Sequence, residues 1–146
     1  MMQPLRDDLM VQEQIDNDPW KMFVGCIMLN QTGRKQVKII LPEFLARWTD
    51  ADSLLGADPG EISEVVKPLG MYNRRSHTLI RMSQDWKYWN GIDATKLYGI
   101  GRYGSDSYEI FFNGRRDITP TDHELCRYLG LPDPRKNRKK HNDKDR

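Results

Sequence analysis

Cysteine is scarce in this chain of 146 residues, and no apolar run exceeds Met22–Leu29. That run is too short to span a bilayer, and the chain does not open with a charged, cleavable leader. Cys26 and Cys126 lie far apart on predicted helices, which favours buried, reduced thiols over a disulfide framework or a metal cluster. We therefore expect an intracellular protein without a membrane partner. Its compartment would be the cytoplasm or nucleoid if the source is prokaryotic or viral, and the nucleus if the source is eukaryotic.

An excess of one charge sign is also missing, since the formal net charge is only +2. The charge is uneven, however, because residues 135–146 hold seven basic and two acidic side chains and no apolar one. This composition predicts a disordered tail after a single domain at 1–134. The tail either adds salt-sensitive attraction to phosphate or only aids solubility.

Sustained alternation of apolar and polar residues is absent too, so we assign no sheet and predict an all-α fold. Asp18-Pro19 and Asp58-Pro59 each combine a capping side chain with proline in the first helical position. Pro42 interrupts a stripe of helical spacing and is interpreted as a kink. About eight to ten short helices are expected, including 5–16, one from Pro19, one through Pro42, 52–55, one from Pro59 to Gly70, and 73–89.

Two glycines separated by one residue, Gly99 and Gly101, precede a further helical pattern. Without side chains they suit a tight hairpin whose backbone can approach another molecule closely. Free N–H groups at the start of the following helix favour an anion such as a nucleic-acid phosphate. Asp122 follows after that helix, and on spacing alone it is best explained as part of a capping box that begins at Thr119.

Six blocks of the sequence together resemble the helix-hairpin-helix DNA glycosylases, within them the thymine/uracil mismatch glycosylases that accompany a methyl-CpG-binding domain. The resemblance covers residues 9–129. In order, the blocks are V-Q-E at 11–13, D-P-W-K at 18–21, L-N-Q-T at 29–32, K-P-L-G-M-Y at 67–72, G-I-G-R-Y-G-S-D-S-Y at 99–108 and D-H at 122–123.

The resemblance implies a two-lobed helical fold with the hairpin and Asp122 at an interlobe cleft. It implies double-stranded DNA as the partner of a monomeric protein, with phosphate bound by Gly99, Gly101, Arg102 and Gly104. Some relatives carry an iron–sulfur cluster on closely spaced cysteines after the catalytic helix, and this chain has none there. We expect no cofactor and no catalytic metal, although hairpin carbonyls suit a structural monovalent cation.

By the same resemblance, Asp122 is the catalytic carboxylate. Breaking an N-glycosidic bond builds positive charge on the sugar, which a nearby carboxylate stabilises while it orients the attacking water. Family members that also cut the strand carry a lysine where this chain has Tyr103. The resemblance thus implies a monofunctional enzyme that leaves an abasic site, unless Tyr103 only packs on the hairpin.

Further roles implied by the family concern the extruded nucleotide and the gap that it leaves. Gln12 and Tyr103 contact the base, and a glutamine amide offers both a donor and an acceptor. Gln31, Leu69 and Met71 wedge the duplex, with Gln31 standing where the relative has arginine. Considered alone, Gln12 is a surface residue, and Leu69 and Met71 are a helix end with its hydrophobic contact.

The sequence thus predicts excision of thymine or uracil opposite guanine. Two alternatives stay open. One is a glycosylase for another 5-substituted pyrimidine, such as hydroxymethyluracil or a hypermodified base. The other is a non-catalytic helix-hairpin-helix module that binds DNA and does not need Asp122.

Overall fold

The computed structural model describes residues 2–136, and within that range every regular element is helical. This confirms the predicted all-α class. Three 3-10 turns, Val11–Gln14, Lys67–Leu69 and Ala94–Lys96, accompany seven α-helices that lie wholly within the described residues. The helices are α1 (Pro19–Leu29), α2 (Arg34–Arg47), α3 (Ala51–Leu55), α4 (Pro59–Val66), α5 (Tyr72–Trp86), α6 (Arg102–Phe111) and α7 (His123–Leu129).

Capping side chains set several helix starts, as the sequence predicts. The Asp18 carboxylate accepts a hydrogen bond from the Lys21 N–H at 3.2 Å, with Pro19 in the first helical position. Pro59 also occupies the first position of α4, but the Asp58 side chain makes no capping hydrogen bond, so the predicted side-chain cap is wrong there. Helix α2 continues through Pro42, which confirms that the helix does not end at this proline; the kink itself stays a prediction.

The predicted helix over 5–16 is wrong, because only Val11–Gln14 forms a 3-10 turn. The buried Lys38 of α2 explains the difference. Its ammonium group donates to the carbonyl oxygens of Asp7 at 3.2 Å and Leu9 at 2.6 Å, and its own carbonyl accepts from the Leu5 N–H at 2.9 Å. Backbone groups of residues 5–9 that would pair along a helix bind Lys38 of α2 instead.

One hydrophobic core is built around α1, where every residue from Met22 to Met28 is buried. Trp20 donates from its indole N–H to the Ser83 hydroxyl at 3.0 Å, which joins α1 to α5. Both cysteines are free and buried, as predicted. The largest fully buried side chains are Trp20, Phe23, Phe44, Met22, Met28, Leu41, Leu54, Ile62, Leu79, Met82, Leu97 and Leu125.

This packing brings the C-terminal end of α1 beside the start of α6, and α1 and α6 are in direct contact. The turn after α1, the loop before α6 and the start of α7 meet around one cleft. None of the helices in residues 2–136 is long and apolar enough to cross a membrane. Most of the proposed tail, 137–146, lies outside the described residues, so the division at 134 stays a prediction.

Candidate active site

A cleft of about 650 Å³ collects most of the residues that the sequence singles out. Val11–Gln12, the turn after α1, the hairpin and the start of α7 supply its walls. The predicted site residues that line it are Gln12, Gln31, Gly99, Gly101, Arg102, Tyr103, Gly104 and Asp122. Leu69 and Met71 do not line this cleft.

The hairpin contains a tight turn closed by a hydrogen bond from the Ile100 N–H to the Leu97 carbonyl at 3.1 Å. Gly99 has φ = 80°, the backbone conformation that favours glycine at this position of a type II turn. A side chain at Gly99 would also overlap the methyl group of Thr78. The hairpin backbone therefore packs directly on α5, and glycine is required there.

Gly101 differs, because a Cβ at this position would meet no atom within 4 Å. It precedes α6 and supplies no side-chain cap, so the first N–H groups of α6 stay open to the cleft side. Gly104 packs against Ile100, whose side chain a Cβ at Gly104 would overlap. The three glycines thus differ in their surroundings: Gly99 forms the turn, Gly101 faces open space, and Gly104 allows close contact between α6 and the hairpin residue Ile100.

Arg102 links the hairpin to the segment that leads to Asp122. Its guanidinium donates to the Thr119 carbonyl at 2.8 Å and lies 3.5 Å from the Asp106 carboxylate. Burial raises the pKa of Asp106, and the nearby Arg102 opposes that rise. The Arg102 guanidinium therefore contacts Thr119 and Asp106 within the protein.

Asp122 is itself the N-cap of α7, because its Oδ2 accepts from the Leu125 N–H at 2.9 Å. The capping box predicted from Thr119 is therefore wrong. The carbonyls of Thr119 and Pro120 are engaged by Arg102 and by the Cys126 thiol, and the helix begins only at His123. The capping bond holds one carboxylate oxygen and fixes the side chain at the cleft wall.

Gln12 and Tyr103 are in contact at the wall of the cleft, although they lie far apart in the sequence. The Gln12 side-chain N–H₂ donates to the Tyr103 hydroxyl at 2.6 Å and to the Ser107 hydroxyl at 3.1 Å. The interpretation of Gln12 as a surface residue is wrong, since only 5% of it is exposed. Burial, more than the adjacent Cys26, raises the pKa of Tyr103 well above its usual range, so the phenol keeps its proton.

Sequence reasoning missed Ser107, which is fully buried one helical turn after Tyr103. The i, i+4 spacing of the two residues on α6 was the available signal. Gln12 Oε1 has no hydrogen-bond partner among the described residues. A buried acceptor without a partner is uncommon in folded proteins and requires an explanation.

A second cavity of about 220 Å³ lies beside the cleft and is lined by Gln31, Met71 and Tyr98, among others. Gln31 has φ = 59° and Met71 has φ = 46°, both in the left-handed region that side-chain-bearing residues seldom adopt. Met71 is 43% exposed, whereas Leu69 is 7% exposed and packs in the core. Of the three predicted wedge residues, only Gln31 and Met71 are free to meet a ligand.

Arg75, which the sequence analysis did not single out, connects the two turns that carry Gln31 and Met71. Its buried guanidinium donates to the carbonyls of Gly70 at 2.9 Å and of Ile27 and Met28 at 3.1 Å. It also donates to the Thr32 hydroxyl. The turn after α1 and the turn before α5 are therefore held to one guanidinium group.

Residues 2–136 contain no group of three or more His, Cys, Asp or Glu side chains that could hold a metal ion. The absence of a cluster, the absence of a catalytic metal and the monovalent cation at the hairpin stay predictions. The ionisable groups beside Asp122 are paired with one another. Glu124 lies 2.7 Å from Arg34 and 3.3 Å from His123.

The sequence matches a known protein family. The family model of the HhH-GPD superfamily of base excision DNA repair proteins matches residues 24–144. The chain belongs to the HhH-GPD superfamily. That match includes the hairpin, Tyr103 and Asp122, and it agrees with the family resemblance of the sequence blocks.

Individual HhH-GPD relatives agree with this assignment. A methyl-CpG-binding domain protein 4-like protein of Arabidopsis thaliana is 33% identical over 120 residues, which is 82% of this chain and 27% of the relative. A thymine/uracil-DNA glycosylase of Pyrobaculum aerophilum is 36% identical over 95 residues, 60% of this chain and 41% of the relative. The chain thus spans less than half the length of these curated relatives.

The fold also has a counterpart among solved structures. A thermostable thymine-DNA glycosylase superposes with a TM-score of 0.71 at 20% sequence identity, over 85% of this chain and 58% of that chain. The HhH-GPD fold predicted from the sequence is therefore confirmed.

Proposed function

We propose that this protein is a monofunctional DNA glycosylase that extrudes thymine or uracil mispaired with guanine and leaves an abasic site. One observation carries the proposal: Asp122 and the Gln12–Tyr103 pair line the same cleft, directly beside the glycine hairpin. This reaction needs a carboxylate, a pair of polar side chains that can bind the edge of a base, and a helix start that is open to phosphate.

The hairpin is proposed to bind the strand. Because α6 has no side-chain cap, its first N–H groups and the positive end of its dipole are available to a phosphate oxygen. The open space at Gly101 leaves room for that approach. A phosphate bound here would hold the damaged nucleotide next to the Asp122 carboxylate.

Asp122 is proposed to act on the sugar. As the base leaves with the bonding electrons, positive charge grows on the anomeric carbon, and the carboxylate stabilises it. The capping bond at Oδ2 leaves Oδ1 to face the sugar or to orient a water molecule. The described residues that line the cleft include no lysine, which supports hydrolysis rather than Schiff-base chemistry.

Gln31 and Met71 are proposed to fill the gap in the duplex. Both stand on left-handed backbone at adjacent turns, and strained positions of this kind concentrate at functional sites. Because Leu69 is packed in the core, we assign it a supporting role beneath Met71 instead of the direct insertion that the resemblance implies.

Incubation of the protein with duplexes that contain G·T, G·U, G·hydroxymethyluracil or normal pairs, followed by hot alkali, tests the proposal. We expect alkali-dependent strand breaks at G·T and G·U, and none with Asp122→Asn. Breaks without alkali would contradict monofunctional chemistry. A preference for hydroxymethyluracil would indicate another pyrimidine substrate, and binding without breaks would indicate a non-catalytic module.

A further inference from the structure

The hydrogen bonds around Gln12 have a fixed direction that begins at the backbone of α6. The Ser107 hydroxyl lies 2.8 Å from the Tyr103 carbonyl oxygen, and a carbonyl can only accept, so the single hydroxyl proton of Ser107 is used there. Toward Gln12, 3.1 Å away, Ser107 can then only accept. The side-chain amide must therefore present its N–H₂ group to Ser107.

Both amide hydrogens are consumed by this arrangement. One is donated to Ser107 and the other to the Tyr103 hydroxyl, at 3.1 Å and 2.6 Å. The Tyr103 oxygen accepts that bond, so its own proton is free to be donated elsewhere. Gln12 Oε1 is left without a partner among the described residues. The pair therefore offers one acceptor, at Gln12, and one donor, at Tyr103.

We propose that Ser107 is a positioning residue that sets the hydrogen-bonding polarity of the base pocket. Through Ser107, the Gln12 amide is locked with its N–H₂ group inward, and an acceptor lies beside a donor at the cleft. This inference rests on the proposed function and goes beyond it. It replaces the expectation that the Gln12 amide uses both its donor and its acceptor on the base.

An acceptor beside a donor matches the imide edge of uracil or thymine, where N3–H adjoins a carbonyl oxygen. Cytosine carries an unprotonated N3, so in the same register two acceptors would face each other at Gln12 Oε1. A buried polar group left unpaired in this way is costly, which makes such mismatches an effective basis for discrimination. Without Ser107 the amide can rotate by half a turn, and the pocket would then accept either edge.

The test measures binding to duplexes that carry 2′-fluorinated deoxyuridine or deoxycytidine opposite guanine, because these nucleotides resist cleavage. With Ser107→Ala we expect the ratio of uracil to cytosine affinity to fall by about tenfold, the equivalent of about one hydrogen bond. The matched control is Ser83→Ala. Ser83 is also fully buried and accepts from the Trp20 indole at 3.0 Å, but it does not line the cleft, so its loss should leave the ratio unchanged.

A double-mutant cycle separates positioning from general stability. In a Gln12→Ala background Ser107→Ala should change the affinity ratio no further, because the amide that it orients is gone. An unchanged ratio in Ser107→Ala, or an equal loss in both backgrounds, would overturn the inference alone. A wild-type protein with no preference for the uracil duplex would instead overturn the proposed function, and the inference with it.

Discussion

Substituting Asp122 by asparagine and by alanine separates the two roles of this side chain. Its Oδ2 caps α7 through the Leu125 N–H at 2.9 Å, and its charge is proposed to act on the sugar. Asparagine caps a helix about as well as aspartate but carries no charge. Alanine provides neither the cap nor the charge.

The expected magnitudes follow from these contacts. Loss of an N-cap costs about 1 kcal/mol, which for a domain of this size lowers the melting midpoint by about 2–4 °C. The α7 residues Leu125 and Cys126 are 0% and 2% exposed, so fraying of the helix start disturbs the core. Asp122→Asn should therefore melt near the wild type, and Asp122→Ala a few degrees lower. Both should lose at least about 100-fold in single-turnover excision.

Thermal unfolding and single-turnover excision on a G·U duplex measure the two effects separately. Asp18 supplies the matched control, because it caps α1 by accepting from the Lys21 N–H at 3.2 Å and does not line the cleft. Asp18→Ala should lower the melting midpoint while the folded protein keeps its excision rate. Wild-type excision by a stable Asp122→Asn variant would refute the catalytic role and leave Asp122 as a cap alone.

Three further predictions concern the hairpin, the two turns that carry Gln31 and Met71, and the buried thiol. Gly99→Ala should destabilise the protein by about 1–3 kcal/mol, measured by urea unfolding. The new methyl group would overlap Thr78, and the backbone has φ = 80°. Unchanged stability would contradict the tight turn. Arg75→Lys should reduce excision from duplex DNA by about tenfold but spare a single-stranded uracil substrate. The reason is that lysine cannot replace the guanidinium group that joins the turns carrying Gln31 and Met71. Equal losses on both substrates would argue against a role of these turns in wedging the duplex. Burial raises the pKa of Cys26 to about 12, so iodoacetamide should modify it at neutral pH only after unfolding, as read by mass spectrometry; rapid labelling of the native protein would disprove its shielding.

Local signals in the sequence predict much of the fold. Asp18-Pro19 fixes a helix start through one side-chain bond and one restricted φ angle, and both depend only on neighbouring residues. Gly99 is predictable for the same reason, because a turn with positive φ requires it. Pro42 is correctly kept inside a helix by the apolar stripe that continues on either side of it.

The features that the sequence did not predict depend on partners far along the chain. Lys38 draws the carbonyls of the N-terminal segment out of a helix that their own pattern favours. Arg102 engages the Thr119 carbonyl, and the helix begins later, so that Asp122 becomes the cap. The spacing on α6 indicates only that Ser107 and Tyr103 are neighbours. The contact of Ser107 with Gln12 joins residues far apart in the sequence and exists only in the folded protein.

The left-handed backbone at Gln31 and Met71 limits how the protein can diversify. Natural variation at these two sites should be confined to residues that tolerate φ = 59° and φ = 46°, such as glycine, asparagine or unbranched side chains, and should avoid valine, isoleucine and threonine. Under the proposed wedge role, evolution can therefore change the length and charge of these two side chains more easily than their branching.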